Sequence, residues 1–371
     1  CDYVYMASFS EGMAAVGLNG KYGFIDRVGN EIVPAKYDSV GDFSEGMARV
    51  MLNNKWGFID KKGEELVPLK YDEVFNFSDG LAEVALNGKW GYVDKTGKEV
   101  VPPKYDGSIY ADGYDYYVSY CHFSEGMAAV VLNGKVGYID KEGNEIVPPK
   151  YDRLDPFQAT LGVFSEGLAS VRIDTVCDED GHDEGGKYGF IDKTGKEVIP
   201  LKYDDVWKFS EGMAAVMLNG KVGYIDKAGK EIVPPKYDFN GSHWALRSFS
   251  NGMARVEINS KYGFIDKTGK EVVTPKFTYA ESFSEGMAMV GLDSEYGFID
   301  NTGKEIVPPK YDWGTWSFSE GLARVCLNKK YGFIDKTGKE VVPLRYDWVS
   351  AFNEGMAAVE LGGKYGFISA N

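Results

Sequence analysis

Three histidines, His122, His182 and His243, and the cysteines Cys121 and Cys177 are the residues of this chain best suited to metal binding or nucleophilic chemistry. Each pattern they suggest is incomplete. A zinc ion at Cys177 and His182 lacks two further ligands, and Cys121 and His122 stand too close in sequence for a nucleophile and its base. Asp178, Asp180 and Asp183 with Gly181, inside the acidic stretch 174–186, faintly suggest a calcium loop. The spacing differs from that loop and no bidentate glutamate follows, so the stretch is read as a solvated acidic loop. A serine and a carboxylate recur together in Phe-Ser-Glu-Gly (Ser10, Ser44, Ser78 and their copies). Repetition argues against a nucleophile, and these serines are read as caps of a turn before a glycine. No Gly-x-Ser-x-Gly elbow, His-Glu-x-x-His helix or phosphate-cradling loop is present. We therefore expect no catalytic residue, no cofactor and no metal; a carboxylate pair for glycoside hydrolysis is the enzymatic alternative.

The other chemistry on offer is that of aromatic rings. Tyr110, Tyr114, Tyr116, Tyr117 and Tyr120 crowd one stretch, and Trp207, Trp244, Trp313, Trp316 and Trp348 mark later ones. Tyrosine and tryptophan join a large apolar face to a polar handle, which suits protein partners and the faces of sugar rings. Tyr114, Tyr116, Tyr117, Trp244, Trp313 and Trp316 form the candidate binding set. Trp207 and Trp348 are read as plugs between neighbouring elements.

These residues must be positioned by a repeating framework. Phe-Ser-Glu-Gly or a close variant begins near 9, 43, 77, 123, 164, 209, 249, 283, 318 and 352, giving ten copies of one phrase in a single domain spanning 1–371. A period near 34 residues means that each repeat buries its apolar face against its neighbours. Four central repeats are expanded, at 107–122, 153–163, 174–186 and 239–248, and the histidines, Cys121 and Cys177 lie in or beside these expansions. Regular positions are committed to stacking, so recognition is expected in the irregular ones.

Within a repeat, Ala14, Val16 and Leu18 recur while position 15 varies, as in a half-buried strand with its variable face wet. Asn19-Gly20 is a strong hairpin signal because both residues take positive φ. On the return strand Tyr22 and Phe24 share one face, and the bare Gly23 admits close approach of another chain segment. A second turn leads to a short third strand, Glu31-Ile-Val33, ended by Pro34. The fold expected is all-β: ten three-stranded antiparallel meanders stacked in a curved solenoid, with a closed propeller-like ring as the alternative.

Lys-Trp-Gly-Phe-Ile-Asp at 55–60, Lys-Trp-Gly-Tyr-Val-Asp at 89–94, Gly-Lys-Glu-Val-Val-Pro at 97–102 and Lys-Tyr-Asp at 104–106 resemble the bacterial WG-repeat, or KWG-repeat, family. Tyrosine replaces the tryptophan in most copies, and valine does so at Val136 and Val222. The resemblance implies an all-β scaffold of secreted or envelope proteins and no established catalytic residues. Composition agrees: 56 acidic against 41 basic residues, a net charge of −15, disfavours nucleic acid. No apolar run is long enough to span a bilayer. Cys1 is similar to the lipid-bearing cysteine of a mature bacterial lipoprotein, a fragment boundary being the other reading. The function expected is non-enzymatic display for a protein or glycan partner at the cell surface. A self-assembling surface spacer and a carbohydrate-processing enzyme are the rivals.

Overall fold

The computed structural model describes residues 5–7, 9–106, 122–152, 162–173, 186–239 and 248–369. They form ten antiparallel sheets of three or four strands, one per repeat, and no helix occurs among them. The chain divides into two compact units, residues 1–202 and residues 203–371.

In the first repeat, strand Met13–Leu18 turns through Asn19 (φ 52) and Gly20 (φ 75) into strand Lys21–Asp26. Cross-strand partners Ala15 and Phe24, and Gly17 and Tyr22, fix the register and share a face. Where a connector strand is present, it pairs with the outer side of the first strand, as Val74 does with Val84.

The third strand does not stop at Pro34. It runs Glu31–Tyr37, with Tyr22 opposite Tyr37 and Phe24 opposite Val33, so three residues bulge across from Gly23 alone. A Cβ on Gly23 would lie 2.2 Å from the Val33 carbonyl oxygen. Proline is tolerated because the strand is the sheet edge, and within the bulge its missing N–H costs no ladder bond. The glycine at this place in the first nine copies, from Gly23 to Gly332, is thus the floor of a bulge.

Nor is the variable face wet. Ala15, Glu83, Ala129, Ser170, Arg255 and Met289 are all buried. Within each unit one face of a sheet, such as Met13, Ala15, Phe24, Val33 and Tyr37, packs on the opposite face of the next, here Phe43, Ala48, Val50 and Ile59. The same layering recurs three more times within 1–202 and four times within 203–371. A sheet covered on both sides has no solvent face, so alternation reports two kinds of neighbour rather than core and water.

Polar groups clasp the layers. Ser10 does not cap its own turn: its hydroxyl donates to the carbonyl of Phe43, 2.8 Å away in the next repeat, and Ser44, Ser78 and Ser284 do likewise. Beside it the carboxylate follows the same direction. Glu285 accepts from the backbone N–H of Gly321 at 2.9 Å and pairs with Lys336 at 3.0 Å. Glu11, Glu125 and Glu211 repeat this arrangement. Partial burial works against ionisation of these four carboxyls, but the lysine and amide donors outweigh it and hold them below the ordinary glutamate value. A depressed native pKa adds stability above the unfolded value that is lost as pH falls through the native one. We expect the melting temperature to be flat above about pH 5 and to fall steadily below the reference value of 4.5. A Glu11→Gln, Glu285→Gln double variant should show a shallower acid limb.

Candidate functional site

Trp313 is 73% exposed, yet other aromatic side chains hold its ring. It sits in a tight Trp313-Gly-Thr-Trp316 loop ahead of the ninth repeat. Gly314 takes φ 102, a conformation suited to glycine, and a Cβ there would meet the Tyr331 hydroxyl at 2.9 Å. Buried Thr315 pins the loop, its hydroxyl donating to the Asp312 carbonyl at 3.0 Å and accepting from the Cys326 N–H at 3.3 Å.

The loop aims its two indoles differently. Trp313 meets Tyr296 at 5.8 Å and Tyr279 at 6.3 Å, both edge to face, and those two tyrosines meet each other at 5.4 Å. Gly291 makes room for the pair, since the Tyr279 Cβ and Tyr296 ring would crowd any Cβ there to 3.0 and 3.2 Å. Trp316 instead lies over the guanidinium of Arg324, 3.4 Å from ring centroid to Cζ, with Tyr331 at 5.4 Å. Arg324 is further held by the carbonyls of Gly314 and Val349, each at 2.9 Å. Such a cation–aromatic stack fixes both partners.

A carboxylate completes the patch. Glu281 accepts from the Tyr279 hydroxyl at 2.8 Å and from Ser317 at 2.6 Å. Burial, and then the neighbouring Glu281, push the Tyr279 phenol well above its ordinary pKa, so it stays a donor. Burial alone raises Tyr296. Burial also raises the Cys326 thiol, which is free and buried and therefore poorly reactive. Among the described residues no group of three or more His, Cys, Asp or Glu side chains could hold a metal. The arrangement offers flat ring faces, one fixed carboxylate and no positioned nucleophile.

Of the candidate set, Trp313 and Trp316 fall in this one loop, and Trp316 is half exposed. Tyr114, Tyr116, Tyr117 and Trp244 lie outside the described residues, as do Cys121, Cys177, His182, His243 and residues 174–185 of the acidic loop. Trp207 is a plug, buried and edge-on to Phe239 at 6.0 Å. Trp348 is not; it is 40% exposed on a short connector strand. Sequence reading missed Tyr279, Tyr296, Glu281 and Arg324. Tyr296 occupies the slot of the motif tryptophan, which could have marked it.

A family model described as WG containing repeat matches residues 1–22, 22–56, 56–90, 90–114, 137–159, 188–221, 223–262, 262–295, 296–331 and 331–365. No curated protein matches the chain. Among solved structures, a eukaryotic initiation factor is 12% identical and superposes with a TM-score of 0.51 over 90% of this chain and 95% of that one. AztD of Citrobacter koseri is 12% identical, with a TM-score of 0.37 over 97% of this chain and 95% of its own. The WD40 domain of SCAP from fission yeast is 11% identical, with a TM-score of 0.36 over 100% and 95%. The likeness concerns fold alone, and the first of the three supports it. No helix among the described residues is long and apolar enough to cross a membrane.

Proposed function

The chain belongs to the WG-repeat family, and from that premise we propose that it is a non-enzymatic scaffold that presents the Trp313–Trp316 loop to a protein or glycan at the cell surface. One observation carries the reading: a tryptophan 73% exposed and braced edge-on by two tyrosines. Exposed rings held this firmly lose little freedom on docking, which favours binding. Glu281 beside them supplies an acceptor for a hydroxyl or amide N–H of the partner. The surface location rests on the family resemblance, and the acidic balance supports a partner other than nucleic acid. The test is a panel of immobilised glycans and surface proteins probed with the purified chain and with Trp313→Ala. Capture lost on substitution supports the reading; no capture, or capture indifferent to Trp313, overturns it.

A further inference from the structure

The hairpin that carries Tyr296 has the opposite charge from its counterparts. In nine of the ten copies the strand returning from the first turn opens on lysine, from Lys21 to Lys364; in the eighth it opens on Glu295. Elsewhere that lysine pairs with the aspartate at the end of the third strand: Lys89 with Asp106 at 2.7 Å, Lys221 with Asp238 and Lys330 with Asp347 at 2.6 Å. The matching aspartate here is Asp312, one place beyond the Tyr296–Tyr311 pair, as Lys89 and Asp106 are one place beyond Trp90 and Tyr105. Asp312 keeps half of the pattern, accepting from the Asn328 N–H at 2.6 Å as Asp347 does from Gly362. Its cation is replaced by a second carboxylate. The turn adds a third, Asp293, where most copies have asparagine.

These acids border the aromatic patch. Trp313 follows Asp312 in the chain and Tyr296 follows Glu295, and the two rings meet at 5.8 Å. Glu281 holds the hydroxyl of Tyr279, the other ring against Trp313. Glu281, Asp293, Glu295 and Asp312 form no ion pair among the described residues. Lys329 follows Asn328 in the chain but pairs with none of them. Two arginines adjoin the patch, and both are engaged: Arg324 under Trp316, and Arg255 with the Ala280 carbonyl at 2.6 Å and over Tyr262 at 4.6 Å. Nor do the acids converge as metal ligands would. Alone they would be a solvated rim. Beside an exposed indole they make a place for a cation, which the ring attracts through its quadrupole and the carboxylates through their charge.

We propose that the partner of the Trp313 patch is a protein with a basic segment, which lays a lysine or arginine side chain on the indole with Glu295 and Asp312 about its charge. The partner supplies from outside the cation that lysine supplies within the other copies. Such a partner presupposes Trp313 as the docking surface and narrows the choice from a protein or glycan to a basic protein.

The probe is a blocked, dye-labelled peptide Gly-Arg-Gly-Arg-Gly, with Gly-Gln-Gly-Gln-Gly as the neutral control, followed by fluorescence anisotropy on the intact chain. Saturable binding is expected for the arginine peptide alone, and it should weaken as salt rises. Glu295→Lys, which gives the eighth hairpin the residue of the other nine, should fold normally and weaken binding by about tenfold. Trp313→Ala should weaken it at least as much. Glu64→Lys makes the same change of charge at an exposed turn in the unit of residues 1–202 and should leave binding unchanged. Absence of saturable binding by the arginine peptide, or equal weakening by Glu295→Lys and Glu64→Lys, overturns the proposal. Capture of a neutral glycan that depends on Trp313, without arginine-peptide binding, overturns it too but leaves the scaffold reading intact. Peptide binding indifferent to Trp313→Ala counts against both.

Discussion

Replacing Gly297 by alanine is expected to cost about 3 kcal/mol of stability, while the same replacement at Gly366 changes it by less than about 0.5 kcal/mol. The two glycines stand in one sequence context, Tyr-Gly-Phe-Ile, and neither has the positive φ that would penalise alanine on its own. What differs is the bulge. At Gly297 a Cβ would fall 2.3 Å from the Val307 carbonyl oxygen and 2.7 Å from both the Pro308 carbonyl carbon and the Pro309 nitrogen. All three are backbone atoms of the strand Glu305–Tyr311, which cannot yield without losing the pairing of Tyr296 with Tyr311 and Phe298 with Val307. Phe298 and Val307 also face Phe318, Ala323 and Val325 of the next sheet, so the disturbance reaches the layer interface. At Gly366 nothing lies within 4 Å, because among the described residues no third strand crosses it. Denaturant midpoints of the two variants check this. Equal losses would mean that the glycine serves the hairpin itself and not the bulge.

The second large effect concerns Trp313 and Trp316, whose replacement should separate binding from stability. Trp313→Ala removes a ring that is mostly in water, so melting should shift by the equivalent of less than about 0.5 kcal/mol. As the exposed centre of the patch, it should nonetheless weaken partner capture by about thirtyfold, the loss typical of a tryptophan hot spot. Trp316→Ala should cost stability as well as binding, roughly 1 kcal/mol, since it strips the cover from a guanidinium stacked at 3.4 Å. Equilibrium binding and thermal melting of both variants distinguish the roles. Equal behaviour of the two would contradict the division drawn here.

Local chemistry was plain in the sequence. Asn19-Gly20 announced its turn, Tyr22 and Phe24 their shared face, and Gly23 a close approach, because each depends on residues within a few positions. What stayed hidden depends on residues about one repeat apart. That Ala15 faces another sheet and not water, and that Ser10 spends its hydroxyl on Phe43, follow from stacking, which periodicity implies but does not orient. Pro34 misled for a physical reason: proline ends a central strand but is accepted on an edge strand at a bulge. At the site, Trp313 and Trp316 stood out by residue type. Their supports, Tyr279, Tyr296, Glu281 and Arg324, come from three successive repeats, and nothing in their spacing pairs them in advance.

The last repeat shows the same layering from its uncovered side. Met356, Tyr365 and Phe367 correspond to Met13, Tyr22 and Phe24, yet all three are exposed, Tyr365 to 76%. The contrast attributes the burial of this face elsewhere to the neighbouring sheet, not to the hairpin.

The central functional claim is tested most directly by NMR of the tryptophan indole N–H groups while a captured protein or glycan is titrated in. The account predicts that the Trp313 and Trp316 resonances move and saturate together while that of buried Trp207 stays in place. Saturable binding that leaves Trp313 and Trp316 unmoved would contradict it.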